Sequence, residues 1–164
     1  MASAGSSKES ISAAASVPFI YRLILTTLEP IFATGGAMIT FFDPPNYLST
    51  MTRHQVAFAS DTRFLYTELG GAWLYFAFVE AVVFRMFDDL RLWRILCAGM
   101  LLSDFAYCHS AAQAVGGWGP WCTLSEWTVE DWTVLVTTAP MVLSRILIVL
   151  GVGITAPQSA KKRV

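Results

Sequence analysis

Five ionisable residues, Glu29, Glu80, Asp104, His109 and Arg145, stand inside stretches otherwise apolar enough to cross a bilayer. A charge at mid-bilayer costs at least about 2.5–3.5 kcal/mol on insertion scales, so such residues face a polar interior and mark chemistry or polar binding. Two carboxyls in one apolar pocket split into one ionised and one neutral group, which supplies a base and an acid together. A guanidinium beside them holds one carboxylate in place and stabilises developing charge. Arg145 can neutralise one carboxyl but not Glu29, Glu80 and Asp104 together. The others must be protonated, hydrated or paired with His109. The competing reading is a buried acid–arginine pair that only fixes helix register, at about 0.6–2 kcal/mol per polar contact.

The reactions such a set can run need neither metal nor cofactor, and the chain has no nucleophile elbow, phosphate loop, dinucleotide glycine pattern or metal motif. In epoxide opening, an acid helps the oxygen leave while a carboxylate takes a proton from attacking water, giving hydrolysis, or from an internal hydroxyl, giving ring closure. Double-bond isomerisation uses the same parts, with aromatic faces stabilising the cation between them. Trp73, Trp118, Trp121, Tyr66 and Tyr107 are the rings placed for that or for substrate binding, and Glu68 is a further polar contact.

Four elements must position these groups. Charged residues make up 14% of the 164, against about 25% in a soluble domain, and mean hydropathy is +0.53. The class is therefore all-α: an integral membrane four-helix bundle with spans near 18–42, 64–87, 92–115 and 133–154. Residues 1–17 read as a flexible polar tail without a cleavable signal peptide, 18–154 as the membrane domain and 155–164 as a basic tail. Pro30, directly after Glu29, removes a helical donor and predicts a kink. Gly35-Gly36 and Gly70-Gly71 predict close helix contact and could support a homodimer. The segment after Asp43-Pro44-Pro45-Asn46, to residue 63, reads as a polar loop with some amphipathic character.

Counting about 1.5 Å per residue puts Glu29, Asp104 and Arg145 near the midplane, His109 and Glu68 toward one surface and Glu80 toward the other. Helical phase sets Asp104, Tyr107 and Cys108 on one face and His109 about 140° round from Asp104. Glu68 and Glu80 are twelve residues apart, about 120° off by the same periodicity. Cys97, Cys108 and Cys122 show no metal spacing. Cys108 and Cys122 lie toward the same side, where a disulfide is one arrangement and small apolar packing the other.

Arg85, Arg91 and Arg94 flank the turn between spans two and three, and Lys161, Lys162 and Arg163 end the chain, whereas the loop before span four has no Lys or Arg. The positive-inside rule predicts both termini in the cytosol, with Arg53 and Arg63 as a smaller opposing signal. Lys161-Lys162-Arg163-Val164 resembles a dilysine retrieval signal, which predicts a multi-pass protein of the endoplasmic reticulum membrane; the other reading is an ordinary basic anchor at the cytosolic face. Trp118, Trp121, Trp127 and Trp132 gather near the opposite surface as an aromatic belt or a lid. A net charge of −1 gives no reason to expect nucleic acid among its partners.

Three segments, YRLILTTLEP, EAVVFRMFDDLRLWR and LLSDFAYCHS with the Trp-rich loop after it, resemble a family of small fungal four-span membrane proteins over residues 18–154. Some members are encoded beside polyketide synthases and flavin monooxygenases of aurovertin-, citreoviridin- and asteltoxin-type pathways. The resemblance implies an epoxide hydrolase or cyclase acting on a lipophilic polyene epoxide, with membrane lipids around it and a flavin monooxygenase of the same pathway as a partner. On that reading Asp104 is the base, Glu29 or Glu80 the acid, Arg145 the charge stabiliser and His109 a further member. A more distant likeness to sterol isomerase-like membrane proteins keeps a sterol or lipid isomerase or binding protein as an alternative. A non-catalytic membrane scaffold is another.

Overall fold

The computed structural model describes residues 10–155. Residues 1–9 and most of the basic tail, with its Lys161-Lys162-Arg163-Val164 end, lie outside them. Among the described residues no strand forms, and four helices are long and apolar enough to cross a membrane: α2 (Phe19–Phe42), α4 (Ser60–Met86), α5 (Leu90–Ala114) and α7 (Val129–Leu150). Their polarity is inverted relative to a soluble bundle. Phe42 is 79% exposed, Leu102 73% and Leu150 71%, whereas Glu80 and Arg145 are fully enclosed. Large apolar side chains outside and charges inside is the pattern a bilayer requires, so this is a multi-pass membrane protein.

The polar tail expected over 1–17 ends earlier than predicted. Ser12 caps a short helix, α1 (Ala13–Ser16), by accepting from the Ala15 amide at 3.1 Å. Asp88, in the turn between α4 and α5, accepts from the Ser12 hydroxyl at 2.6 Å and the Ala14 amide at 2.7 Å. The Leu90 amide donates to Ile11 O and the Thr155 amide to Ser16 O, tying α1 between α5 and the exit of α7. Ala13 and Val17 are thereby buried with Leu25, Val79, Phe84, Trp93, Cys97 and Ile148 in a core at the termini end. Phe84 and Trp93 stack there at 4.4 Å.

In α2, Pro30 widens the helix instead of simply kinking it. It cannot donate to the Thr26 carbonyl and its ring crowds that carbonyl. The chain takes a π-turn over Ile24–Leu28, and the Glu29 amide reaches back five residues to Ile24 O. A second π-turn, Val79–Val83, lies in α4, with the Phe84 amide on Val79 O.

The loop expected over 43–63 contains a helix, α3 (Pro44–Met51). Asp43 caps it through the Asn46 amide at 3.3 Å, and Pro44 and Pro45 suit its first turn. After Gly116 and Gly117, both at positive φ, a short helix α6 (Trp118–Cys122) carries two of the tryptophans. α7 begins earlier than expected because Thr128 and Asp131 form a capping box, and Gly151, at φ 79°, stops it before 154.

α2 packs on α4 and α5 on α7. The first pair approaches through Gly36, where a Cβ would meet the Trp73 ring at 2.3 Å, and Gly70, where one would meet Thr40 Oγ1 at 2.6 Å. Gly35 and Gly71 have no such neighbours. All three cysteines are free thiols, Cys97 buried and Cys122 exposed, so Cys108 and Cys122 are not bridged.

Candidate functional site

Arg145 is fully enclosed and gathers three carboxyls from three other helices. Its Nη1 donates to both oxygens of Asp104, at 2.7 and 2.6 Å. Its Nη2 donates to Glu29 Oε1 at 2.5 Å and Glu80 Oε1 at 2.6 Å. The four residues come from α7, α5, α2 and α4, so the cluster ties every span to one guanidinium. Formal charge leaves it at −2 if every carboxyl is ionised, so it must hold protons to rest in a low-dielectric interior. Glu29 Oε2, Glu80 Oε2 and Arg145 Nε, all buried, have no hydrogen-bond partner among the described residues. The Phe76 ring lies 5.7 Å from the guanidinium carbon, a cation–π contact that closes one side.

The three acids are not equivalent. The Glu80 side chain is sealed at 0% exposure, whereas Glu29 keeps 13% and Asp104 12%. The two partly open groups sit on the two different nitrogens of Arg145. One guanidinium therefore presents one carboxyl gripped through both oxygens and another gripped through one, a geometry suited to a base and an acid acting on a neighbouring polar bond.

Beyond Asp104 and Phe76 a column of rings runs toward the α3 end. Trp73 meets Tyr107 at 6.3 Å and Tyr47 at 5.6 Å, and Tyr66 meets Tyr47 at 6.0 Å and Phe58 at 5.5 Å. Tyr66, Trp73 and Glu80 repeat at seven residues and Tyr107 is three after Asp104, so helical phase places rings and acids on one side. Burial holds the Tyr47 phenol above its ordinary range, as a neutral hydroxyl. An apolar groove of about 440 Å³ opens at the outer end of the column, lined by Leu48, Val56, Leu65, Tyr66 and Leu69 among others.

Of the sequence-predicted residues, Glu29, Glu80, Asp104 and Arg145 form the cluster, and Trp73, Tyr66 and Tyr107 form the column. His109, Glu68, Trp118 and Trp121 join neither. His109 is exposed and leans on Trp118 at 6.0 Å, because five residues of helix carry it off the Asp104 face. Glu68 is exposed on α4 for the same reason of phase. Trp121 packs on Trp127, whose indole N–H donates to Trp121 O at 2.7 Å, in a separate cluster with Trp132. Sequence reasoning misses Tyr47 and Phe76. Tyr47 was legible from Asp-Pro-Pro-Asn, a capping and first-turn signature that announces the helix carrying it.

No curated protein matches the chain, and no solved structure matches it. A family model described as a domain of unknown function, DUF7704, matches residues 14–155, which take in α1 as well as the four spans, and the chain belongs to that family.

Proposed function

We propose that this chain is a membrane-embedded epoxide hydrolase or cyclase that opens polyketide polyene epoxides by general acid–base catalysis in fungal secondary metabolism. The observation that carries the proposal is one enclosed guanidinium gripping three carboxyls, two of them partly open. In the proposed reaction Glu29, as a carboxylic acid, gives its proton to the epoxide oxygen as the C–O bond breaks. Asp104, as a carboxylate, takes a proton from the water or internal hydroxyl whose oxygen bonds to the carbon. The product is a diol or a cyclic ether, and return of the proton from Asp104 to Glu29 resets the site. Arg145 orients Asp104 and offsets charge on both acids. Glu80, sealed behind them, positions Arg145 Nη2 and balances charge.

The substrate class follows from the setting: a lipid-soluble molecule, its reacting carbons near the cluster and its apolar chain along the rings. Its epoxide comes from an oxygenation step, the work of the pathway's flavin monooxygenase. The proposed orientation puts both termini in the cytosol, because Arg85, Arg91 and Arg94 lie at the termini end. The proposed membrane is that of the endoplasmic reticulum. The rings beside Asp104 also favour a second reading, double-bond isomerisation through a cation stabilised by Trp73, Tyr107 and Tyr47. Competition by hydrophobic tertiary amines, which mimic that cation, distinguishes the two.

The test is a product profile. The chain is expressed in a fungal host with a polyene synthase and its monooxygenase, and extracts with and without it are compared by mass spectrometry. Conversion of epoxide to diol or cyclic ether is expected. Asp104→Asn and Glu29→Gln should lower it by about 10²–10⁴-fold with the protein still folded. Glu68→Gln and His109→Ala should leave it unchanged. An unchanged profile with folded wild-type protein present overturns the proposal.

A further inference from the structure

A second groove, about 500 Å³, opens on the outer side of the α2–α4 pair, lined by Thr27, Pro30, Ile31, Thr34, Ala81 and Arg85. None of the cluster carboxyls lines it. Arg85 lies next to the last residue of α4, where a bilayer's interface begins, and its side chain is exposed. Its guanidinium is fixed across the groove: Nη1 donates to Ala81 O at 3.0 Å and Nη2 to Thr27 Oγ1 at 3.1 Å. Thr27 and Ala81 belong to the two π-turns, so each wall of the groove holds one arm of the fork. A guanidinium has five N–H donors, and two are used here, which leaves three on an oriented, exposed head. Among the described residues no carboxylate lies within ion-pair distance of Arg85, and the nearby Asp88 is taken up by Ser12 and Ala14.

From Thr27 the groove runs along α2 past Pro30 and Ile31 to Thr34, a rise of about 10 Å away from the end of α4 that carries Arg85. A fixed cation at the interface end of an apolar trough is complementary to a molecule with a phosphate at one end and a hydrocarbon chain at the other. Arg22, Arg91 and Arg94 lie at the same end of the bundle and add to its positive field. We infer that this groove is a site for one anionic phospholipid, its phosphate held by Arg85 and one acyl chain laid along Pro30, Ile31 and Thr34. The site is independent of the cluster chemistry and stands whether or not the chain is an enzyme.

The experiment is native mass spectrometry of the full chain released from nanodiscs of phosphatidylcholine with a minority of phosphatidylglycerol. One phosphatidylglycerol is expected to stay bound through delipidation while phosphatidylcholine is stripped. Arg85→Gln should lower its retention about five- to tenfold. Thr34→Phe fills the trough without touching the charge and should lower retention as well, which keeps the test valid if Arg85→Gln fails to fold. Glycerol 3-phosphate, a head group without a chain, should not displace the lipid. Equal retention of phosphatidylcholine, undiminished retention in folded Arg85→Gln or in Thr34→Phe, or displacement by glycerol 3-phosphate overturns the site.

Discussion

Glu29 and Glu80 reach the same nitrogen of Arg145 from two different helices, and each does so at a π-turn. The first π-turn ends just before Glu29, and the second contains Glu80. A π-turn adds a residue to one turn of helix, which shifts the phase of everything beyond it and gives up regular hydrogen bonding. The turn before Glu29 shifts the phase of that carboxyl, and it meets Glu80, which keeps the seven-residue phase of Tyr66 and Trp73, at one nitrogen. The distortion is concentrated where the charge is, the usual sign that a site's geometry is being maintained.

Arg145 is therefore the keystone, and the asymmetry between it and its partners is measurable. Arg145→Gln leaves three buried carboxyls without their common donor and should destabilise the protein by about 3–5 kcal/mol. Glu80→Gln keeps an amide of the same size on Nη2 and removes one surplus negative charge, so it should change stability by under about 1 kcal/mol. Thermal unfolding in a mild detergent reads both. Equal losses in the two variants would show that Arg145 does not organise the cluster.

How much of this was legible in the sequence depends on the kind of signal. Glu29, Glu80, Asp104 and Arg145 stood out because each interrupts an apolar run, and depth counting brought Glu29, Asp104 and Arg145 to one level. His109 and Glu68 also interrupt apolar runs, and depth counting already sets them toward one surface, away from the other three. Their phase offsets from Asp104 and Glu80 were the better guide, and the structure follows phase. The π-turns were not legible, since periodicity arguments assume 3.6 residues per turn. Pro30 accounts for the first, and Val79–Val83 carries neither proline nor glycine to announce the second. α3 and Tyr47 are hard to read because Asp43 serves twice, ending α2 and capping α3.

The glycine pairs separate cleanly by contact. Gly36→Ala would drive a Cβ to 2.3 Å from the Trp73 ring, and Gly70→Ala to 2.6 Å from Thr40 Oγ1. Each should cost about 1–3 kcal/mol as overpacking, and Gly36→Ala should disturb the ring column as well. Gly35→Ala and Gly71→Ala meet nothing within 4 Å and should be neutral or stabilising, by up to about 1 kcal/mol from helix propensity alone. Unfolding midpoints of the four variants check the split, and a uniform response would contradict the α2–α4 contact.

The docking of α1 should be acid-sensitive. The Ala14 amide and the Ser12 hydroxyl both donate to Asp88, which holds its folded-state pKa below the ordinary 3.8. A depressed carboxylate stabilises fully above its unfolded pKa and loses that contribution as pH falls through the folded value. α1 should thus stay docked from neutral pH to about pH 4 and loosen below that. Hydrogen exchange at the Ala14 and Ala15 amides, compared between wild type and Asp88→Asn, is the measurement. Asp88→Asn should exchange faster at neutral pH and lose the acid dependence, and identical profiles would remove Asp88 from the role.

At the opposite end, α3 is held over the ring column by a residue in a costly conformation. Arg53 and His54 both have positive φ, 51° and 61°, a region that costs a non-glycine residue roughly 1–2 kcal/mol. The conformation persists because Arg53 Nε donates to Asp131 Oδ2 at 2.8 Å, the same oxygen that accepts the Thr128 amide in the α7 capping box. Asp131 thus caps one element and latches another. Asp131→Ala should lose the cap, at about 0.5–2 kcal/mol, and leave the Arg53 guanidinium without its closest acceptor. Arg53→Gln should spare the cap and release only the latch. With the latch gone, α3 should exchange its amides faster and Tyr47 should become accessible to quenchers, while the α5 and α7 amides around Asp104 and Arg145 stay protected. Faster exchange throughout the bundle in Arg53→Gln would instead make the ion pair a support of the whole fold.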